Sequence, residues 1–520
     1  MSKIDVIKKN LQFQELIKES SATSILREEY LIPDTHPDVE EVLLVEAKPV
    51  ISSKEIISDK VMIEGKVEYN VIYIPREDNM VVNSVNYSEK FTSYIDINEG
   101  EHKIICEVEC KLEHIEARVM NERKIEIESA IKVVFELYKG TEIEFVEDIE
   151  GDESVQVLKK SEAINRLAAS KECELLSKSM IRVSMDKPEI YKVLKCYMML
   201  HKREVKIGED KIYLACYCRV NILYLEKESQ EIYSLEDDIY MSKEEDIEGI
   251  TSEMSPSVVY EIESSDISLE EDDLGETRIV NLECLVKSSI KVFSNENIEM
   301  VDDAYSTDFL IDLKNEGFSL GELQAIQSME STVKDNFSLK EGDKKPENIV
   351  SSMGNVIVNE KKISNDKLTV EGVISVEVMY KTKNEEKKFS KIKGDIPFIC
   401  VLDISGITEN MKEIVKCNLE ALEAAIEANT IAIKAIISIG AKVYSKISRN
   451  FISDIVETDG EVEGKKASVI IYVTSKGDNL WNLSKKYNTT VDEIIRINKL
   501  ENPDEIKSKE KLLIPGRASF

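Results

Sequence analysis

The sequence predicts a mainly β fold: three tandem β-rich units, sandwich-like or barrel-like, with helical connectors and a small C-terminal βααβ module. One long alternating strand recurs three times, and a second alternating strand recurs later in each unit. Near the C-terminus, apolar residues recur at helical spacing and are accompanied by residues that typically cap helices. Because strict alternation indicates strands with one buried face, the chain is expected to fold as several β domains in a row.

The first recurring strand keeps one register in all three units and ends in tyrosine each time. Mostly apolar residues occupy every second position, and each position has a counterpart in the other units. Alternation over this length predicts a long strand with one face in a core. The alternating residues are Val61, Ile63, Gly65, Val67, Tyr69, Val71 and Tyr73 in unit one, Ile212, Leu214, Cys216, Cys218, Val220, Ile222 and Tyr224 in unit two, and Leu368, Val370, Gly372, Ile374, Val376, Val378 and Tyr380 in unit three.

A second alternating strand follows later in each unit, and a Pro-acid motif precedes each first strand. Units with this many alternating strands are typical of antiparallel sandwiches or barrels. The acids of the motif could bind a cation, but its prolines more simply fix a turn before a strand. The second strand spans residues 125–133, 280–288 and 431–439, and the motif spans residues 32–43, 187–194 and 345–350.

Changes of periodicity divide the chain into domains and connectors. Helix-forming residues, such as the run 163–169, interrupt the alternation between the first two units. A polar, glycine-containing stretch precedes the C-terminal module and predicts a flexible tether. The predicted divisions are 1–150 (N-terminal segment and unit one), 151–180 (helical linker), 181–300 (unit two), 301–335 (mixed connector), 336–450 (unit three), 451–468 (flexible linker) and 469–517 (C-terminal module).

The composition excludes several classes of partner. The net charge is −33 at pH 7, from 68 Lys and Arg against 101 Asp and Glu. Because phosphate binding needs clustered cations, we expect no nucleic acid partner. No apolar run is long enough for a transmembrane helix, and the N-terminus lacks the apolar core of a signal peptide. Nine irregularly spaced cysteines do not suggest a disulfide framework, which favours a reducing compartment.

Two cysteine pairs are the best candidates for metal ligands, and both are weak. Cys216 and Cys218 lie on the core face of the first recurring strand, where the other units have glycine or apolar residues. Cys106 and Cys110 have histidines nearby at spacings compatible with zinc, but their surroundings indicate a strand. The sequence has no nucleophile motif and no phosphate-binding loop. We therefore predict a non-enzymatic protein with no catalytic, cofactor or metal site.

The C-terminal module has a local signal for each of its elements. Residues 469–473 are β-branched or aromatic and predict a strand, which Gly477 follows as a turn. Asp478 is placed to cap a first helix, and Asn488 suits its left-handed end. Thr490, with Glu493 three residues later, forms a capping box for a second helix. These signals predict two short helices between two strands.

This segment resembles a LysM module, a family that usually binds N-acetylglucosamine polymers such as peptidoglycan. The resemblance implies a site for a glycan or a protein partner at Gly477, Asp478, Asn479, Trp481, Asn502, Pro503, Asp504 and Ile506. Where the family often has glycine before the last strand, this chain has Lys509, followed by Glu510. Trp481 is the only tryptophan, and it is either a stacking platform for sugar or a core anchor at helical spacing.

The three units resemble the SPOCS domain, also called DUF3794, most closely in the Pro-acid motif at residues 32–43. Several SPOCS domains before one LysM module is the layout of clostridial spore coat morphogenetic proteins. The resemblance implies a scaffold that binds the coat ATPase SpoIVA, with other coat proteins and further copies of itself as additional partners. It also implies a place in the mother-cell cytoplasm at the forespore surface, in the spore coat. The alternative function is binding of peptidoglycan in the wall or cortex.

Overall fold

A computed structural model describes residues 4–516 except 58, 77–80, 98–103, 341–343, 384–387, 461–467, 501–505 and 507. The predicted mainly β class with a C-terminal βααβ module is confirmed, but the predicted helical connectors are not found, because both helices of the described residues lie in the C-terminal module. The first repeat contains β1 (Ile4–Leu31), β2 (Val39–Ile57), β3 (Lys60–Pro75), β4 (Asn83–Asp96), β5 (Ile104–Asn121) and β6 (Lys124–Gly151).

The second and third repeats have the same six-strand plan. The second contains β7 (Val155–Arg182), β8 (Lys192–Gly208), β9 (Lys211–Leu225), β10 (Ile232–Asp246), β11 (Ser255–Glu271) and β12 (Thr277–Ser306). The third contains β13 (Leu310–Ser338), β14 (Pro346–Ser364), β15 (Lys367–Thr382), β16 (Phe389–Asp403), β17 (Lys412–Glu427) and β18 (Thr430–Thr458).

Each repeat is a sandwich of two three-stranded antiparallel sheets. In the first repeat the sheets have the orders β2-β3-β4 and β1-β6-β5, and the other repeats match them. The two recurring alternating strands are the central strands of the two sheets. Their inward residues form one core per repeat, as the sequence predicts.

The recurring tyrosine connects the first strand to the Pro-acid motif. The side chains of Tyr73 and Tyr224 are fully buried. Tyr73 Oη donates a hydrogen bond to the carbonyl oxygen of Pro37 at 3.0 Å, and Tyr224 Oη donates to Pro188 at 3.1 Å. The tyrosine therefore holds the turn that precedes the second strand of its own repeat.

The predicted helical linker at 151–180 is wrong, because those residues form most of strand β7. Alternating exposure along β7 and its pairing with β12 outweigh the helix propensity of the run 163–169. The mixed connector at 301–335 is likewise the end of β12 and most of β13. Of the predicted flexible linker, residues 451–458 belong to β18, and residues 461–467 lie outside the described part of the chain.

The three repeats form a closed ring with pseudo-threefold symmetry. The fourth strand of each repeat contacts the second strand of the next, as β4 with β8, β10 with β14 and β16 with β2. The first strands β1, β7 and β13 contact one another, and so do the last strands β6, β12 and β18. Because the third repeat packs back on the first, the head-to-tail contacts close within one chain.

Equivalent residues of the last strands meet in layers at the centre of the ring. Two layers are apolar or aromatic, and one is charged and almost fully buried. The charged layer shows that the ring is not held by hydrophobic contact alone. The layers contain Phe145, Met300 and Phe451; Tyr138, Phe293 and Tyr444; and Glu136, Lys291 and Lys442.

The C-terminal module has the predicted βααβ order. It consists of β19 (Val469–Val473), α1 (Leu480–Lys486), α2 (Val491–Asn498) and β20 (Lys511–Pro515), with β19 and β20 antiparallel. Its buried core consists of Leu480, Leu483, Ile494, Leu512 and Ile514.

Candidate functional site

The loop before α1 is stabilised by its own polar side chains. Asn479 is the N-cap of α1, and its side chain accepts a hydrogen bond from the backbone N–H of Asn482 at 2.7 Å. Asp478, which the sequence places at the cap, instead accepts from Ser475 N at 2.7 Å and from Tyr472 Oη at 3.0 Å. The hydrogen bond with Asp478 raises the pKa of Tyr472. The predicted cap is therefore wrong by one residue.

The structure brings three of the predicted site residues together on this loop. Gly477 has φ +98°, which favours glycine, and both Gly477 and Asn479 are exposed. Ile506 is half-buried and packs against the core of the module. The predicted residues Asn502, Pro503 and Asp504 lie outside the described residues. The loop at 475–479 is thus the part of the predicted site that the structure describes in full.

The second helix and the turn before β20 follow the sequence signals. Thr490 Oγ1 accepts from Glu493 N at 3.1 Å, which confirms half of the predicted capping box. Asn488 has φ +52°, as expected of a left-handed helix end. Lys509 also has a positive φ, +70°, so a lysine occupies a conformation that suits the glycine of the family. The turn therefore presents an exposed cationic side chain at this position.

Trp481 does not anchor the core of the module, so that interpretation is wrong. It lies outside the buried cluster, and its ring contacts Tyr305 of β12 edge to face, with centroids 5.1 Å apart. Its indole Nε1 donates a hydrogen bond to Asp303 Oδ2 at 2.8 Å. The only tryptophan of the chain therefore joins the module to the second repeat.

Further polar contacts complete this junction. Tyr305 Oη lies 2.7 Å from both Ser484 Oγ and the carbonyl oxygen of Thr489, and burial raises the pKa of Tyr305. Lys485 Nζ forms an ion pair with Asp303 Oδ1 at 2.5 Å. The side-chain amide of Asn488 donates to the carbonyl oxygen of Thr307 at 3.3 Å. One face of α1 and the following turn are thereby fixed on the end of β12.

The sequence alone does not mark Asp303 and Tyr305 as functional residues. Residues 301–304 are similar to residues 146–149, which shows that the two segments are equivalent. The signal that distinguishes the second repeat is Tyr305, because the first repeat has Glu150 at that register and the third has Val456. A comparison of the three repeats at this position could have located the junction.

The Pro-acid motif of the first repeat is held by an arginine. Arg123 donates to the carboxylates of Asp34 at 3.1 Å and Asp38 at 2.9 Å, and also to the carbonyl oxygens of Ile32 and His36. In the second repeat, the equivalent Arg278 donates to carbonyl oxygens of the same loop. These contacts give the motif a structural role, since its acids neutralise a cation of the same domain.

Seven of the nine cysteines are buried, and the other two, Cys110 and Cys196, are half-buried against a core. All nine are free thiols, and Cys216 and Cys218 are fully buried in the second repeat. Burial raises the pKa of Cys216 to about 11. Within the described ranges, no group of three or more histidine, cysteine or acidic side chains is arranged to hold a metal ion. In the same ranges, neither helix has the length and hydropathy needed to cross a membrane.

A cavity of about 1240 Å³ opens where the three repeats meet. Charges of both signs line it, and Lys195 of the second repeat forms an ion pair with Glu46 of the first at 2.9 Å. Glu377 and Lys393 of the third repeat add a further charge of each sign. The mixed lining favours neither anions nor cations, so the cavity does not identify a class of ligand.

Comparison with known families identifies the inner part of each repeat and the C-terminal module. The SipL SPOCS domain family matches residues 38–120, 189–270 and 345–427, and the LysM domain family matches residues 472–515. Each SPOCS match lies on the inner four strands of a repeat, flanked by the long first and last strands. No curated protein and no solved structure gives a significant match.

These domains bind rather than catalyse, and they give the chain a sporulation-related role in protein interaction or cell-wall binding. Together the two families cover more than half of the sequence. The chain therefore has the SipL-type architecture: three SPOCS domains followed by a C-terminal LysM domain.

Proposed function

We propose that this protein is a non-enzymatic scaffold of spore coat assembly that binds the coat ATPase SpoIVA through its LysM domain. It acts in the mother-cell cytoplasm at the forespore surface, and its SPOCS domains present further surfaces to other coat proteins or to further copies. The SipL-type architecture supports the coat role. The observation that carries the binding role is the loop at 475–479, where Ser475, Lys476, Gly477 and Asn479 stay exposed although the LysM domain is held on the second repeat.

A ring that carries one firmly held binding module suits a scaffold. The three SPOCS domains share a plan but differ in surface residues, so each can offer a different contact. Several weak contacts on one body give strong combined binding when a partner engages them together. This explains why the proposed function needs no catalytic site and no single deep pocket.

A pull-down of SpoIVA with the full chain and with variants tests this proposal. Deletion of residues 469–520 is expected to abolish capture. Lys476→Glu, in the exposed loop, is expected to weaken it because the charge is reversed at the contact. Arg496→Glu, an equal charge reversal on the exposed side of α2, is the matched control and should retain capture. Equal capture by the deletion and the full chain would refute the proposal.

Peptidoglycan binding is the second candidate, favoured by the LysM match itself. Sedimentation with purified peptidoglycan measures it directly. Asn479→Ser is a suitable variant, because serine preserves the helix cap while removing the amide that a sugar would contact. Strong sedimentation of the native chain, lost in Asn479→Ser and in Ile506→Ala, would favour the wall-binding function over the coat function.

A further inference from the structure

We infer that the second repeat carries a receptor for the LysM domain of the same chain, and that Asn315 is the residue that leaves this receptor open. The three repeats share an aspartate near the end of the last strand. Asp148, Asp303 and Asp454 are equivalent, because each lies beside a one-residue bulge near the end of the last strand of its repeat.

At two of the three junctions, a lysine of the next repeat neutralises this aspartate. Lys159 of the second repeat pairs with Asp148 at 2.6 Å, and Lys8 of the first repeat pairs with Asp454 at 3.4 Å. Lys8 and Lys159 occupy the same register, opposite Val146 and Val301. The ring thus uses one repeated ion pair to join successive repeats.

The third junction lacks the lysine. In the register of Lys8 and Lys159, opposite Ile452, the third repeat has Asn315, which is exposed and donates to its own chain at Leu313. Among the described residues, no cation of the ring pairs with Asp303. The LysM domain supplies the cation, because Lys485 forms an ion pair with this carboxylate. Trp481 of the same domain donates a hydrogen bond to it.

Two further observations explain why the LysM domain binds at this junction. Tyr305 supplies the aromatic and hydroxyl contacts, whereas Glu150 and Val456 stand at the equivalent positions. Residues 469–520 contain nine Lys and Arg against seven Asp and Glu, in a chain with a net charge of −33. A slightly basic domain is attracted to the acidic ring, and contacts at Tyr305 fix its position.

The contact has a consequence for ligands of the LysM domain. A partner that binds the loop at 475–479 can do so while the domain stays docked. A sugar that must stack on Trp481 has to displace Tyr305 first, and the docking equilibrium lowers its apparent affinity. The receptor therefore favours loop-binding partners over ligands that need the indole ring.

Trp481, as the only tryptophan, reports on docking in the full-length protein. Asn315→Lys introduces the missing cation at an exposed position, so the ring should stay folded while the new lysine competes with Lys485 for Asp303. We expect the Trp481 emission to shift to the red and acrylamide to quench it faster. The ratio of docked to undocked LysM domain should fall about tenfold. Asp303→Ala should have the same effect. Circular dichroism checks that each variant is folded.

Asp148→Asn and Asp454→Asn are the matched controls, since they change the equivalent carboxylates without touching the LysM domain. They should leave the emission and quenching of Trp481 unchanged. The inference is overturned if Asn315→Lys and Asp303→Ala both leave Trp481 unchanged, or if the control variants shift it equally. Because fluorescence needs no partner, failure of the docking inference is distinguishable from failure to bind SpoIVA.

Discussion

The indole Nε1 of Trp481 donates a 2.8 Å hydrogen bond to Asp303 Oδ2, which joins the last domain of the chain to its second repeat. The other carboxylate oxygen of Asp303 pairs with Lys485, one helical turn from Trp481. Hydrogen bonds to a charged acceptor are stronger than neutral ones. One aspartate therefore holds two side chains of the same helix and fixes how the LysM domain is oriented on the ring.

We expect Trp481→Phe to weaken docking without unfolding the LysM domain. Phenylalanine keeps a ring against Tyr305 but cannot donate to Asp303, and position 481 lies outside the core of the domain. Hydrogen exchange should therefore rise at residues 303–307 while α2 stays protected. Leu480→Ala is the contrasting variant: it removes a buried core residue, at a cost of about 2–5 kcal/mol to the domain itself. Equal loss of protection in α2 for both variants would contradict this prediction.

Glycine at one position of the first recurring strand is required by an aromatic neighbour. A Cβ on Gly65 would lie 2.6 Å from the ring of Phe91 and 2.7 Å from the carbonyl oxygen of Val50. The second repeat has Cys216 opposite Met241 at the same register, so a side chain is accommodated where the aromatic ring is absent. The two positions therefore change together between repeats.

Gly65→Ala is expected to destabilise the first repeat by about 1–3 kcal/mol, because the added methyl group overpacks this contact. Urea unfolding measures the effect. Gly140→Ala is the matched control, since nothing lies within 4 Å of a Cβ at that position. A loss of stability in Gly140→Ala as large as that in Gly65→Ala would show that glycine itself, and not the aromatic contact, is responsible.

The sequence predicts the sandwich cores well because alternation determines which face of a strand is buried. It misses β7 because the run 163–169 contains good helix formers, while the partner strand β12 lies more than a hundred residues away. The ring and the LysM junction depend on contacts between domains, such as Asp303 with Trp481, which no local period encodes. The exposed loop can be predicted because its signals are local: Gly477 allows the turn, and Asn479 caps the helix that follows it.

Neutralising Glu136, one charged side chain at the centre of the ring, is expected to destabilise the protein, because the neighbouring charges then lose their compensation. Glu136 accepts from Tyr138 Oη at 2.6 Å and pairs with Lys416 of the third repeat at 3.3 Å. Glu136→Gln removes the nearer of two acids that pair with the half-buried Lys416 and leaves Glu109 at 3.7 Å, so it should cost about 1–3 kcal/mol in the free energy of unfolding. Glu423→Gln, which breaks an exposed pair with Lys434, should cost at most about 1 kcal/mol.

The stability provided by Glu136 should depend on pH. Burial raises its pKa, but Lys416, Lys442, the hydrogen bond from Tyr138 and Lys291 together outweigh burial, and the pKa lies below its usual value. A lowered pKa in the folded state means that the contribution is complete above the unfolded pKa of about 4.3. It is lost as the pH falls from there through the folded pKa. The difference in stability between the native chain and Glu136→Gln should therefore shrink in acid, and an unchanged difference would contradict the prediction.

Lys442 is the member of this layer whose charge is unfavourable. Burial, followed by repulsion from Lys291, lowers its pKa to about 8. At pH 7 the side chain is still protonated in a site that disfavours its charge. Lys442→Met should therefore stabilise the protein by about 1–4 kcal/mol at pH 7, since methionine has a similar shape and no charge. Lys442→Arg keeps the charge at every pH and should give no gain.

The pH dependence of stability shows whether Lys442→Met stabilises the protein by removing an unfavourable charge or by better packing of the methionine side chain. Between pH 8 and about 10.4 the unfolded chain binds the proton of Lys442 more strongly than the folded protein does, so the native chain becomes more stable as pH rises. The advantage of Lys442→Met should then diminish across that range. Urea unfolding at pH 7, 8.5 and 10 measures the difference. An advantage that stays constant would mean that methionine stabilises by packing alone, and that the charge of Lys442 is well accommodated in the ring.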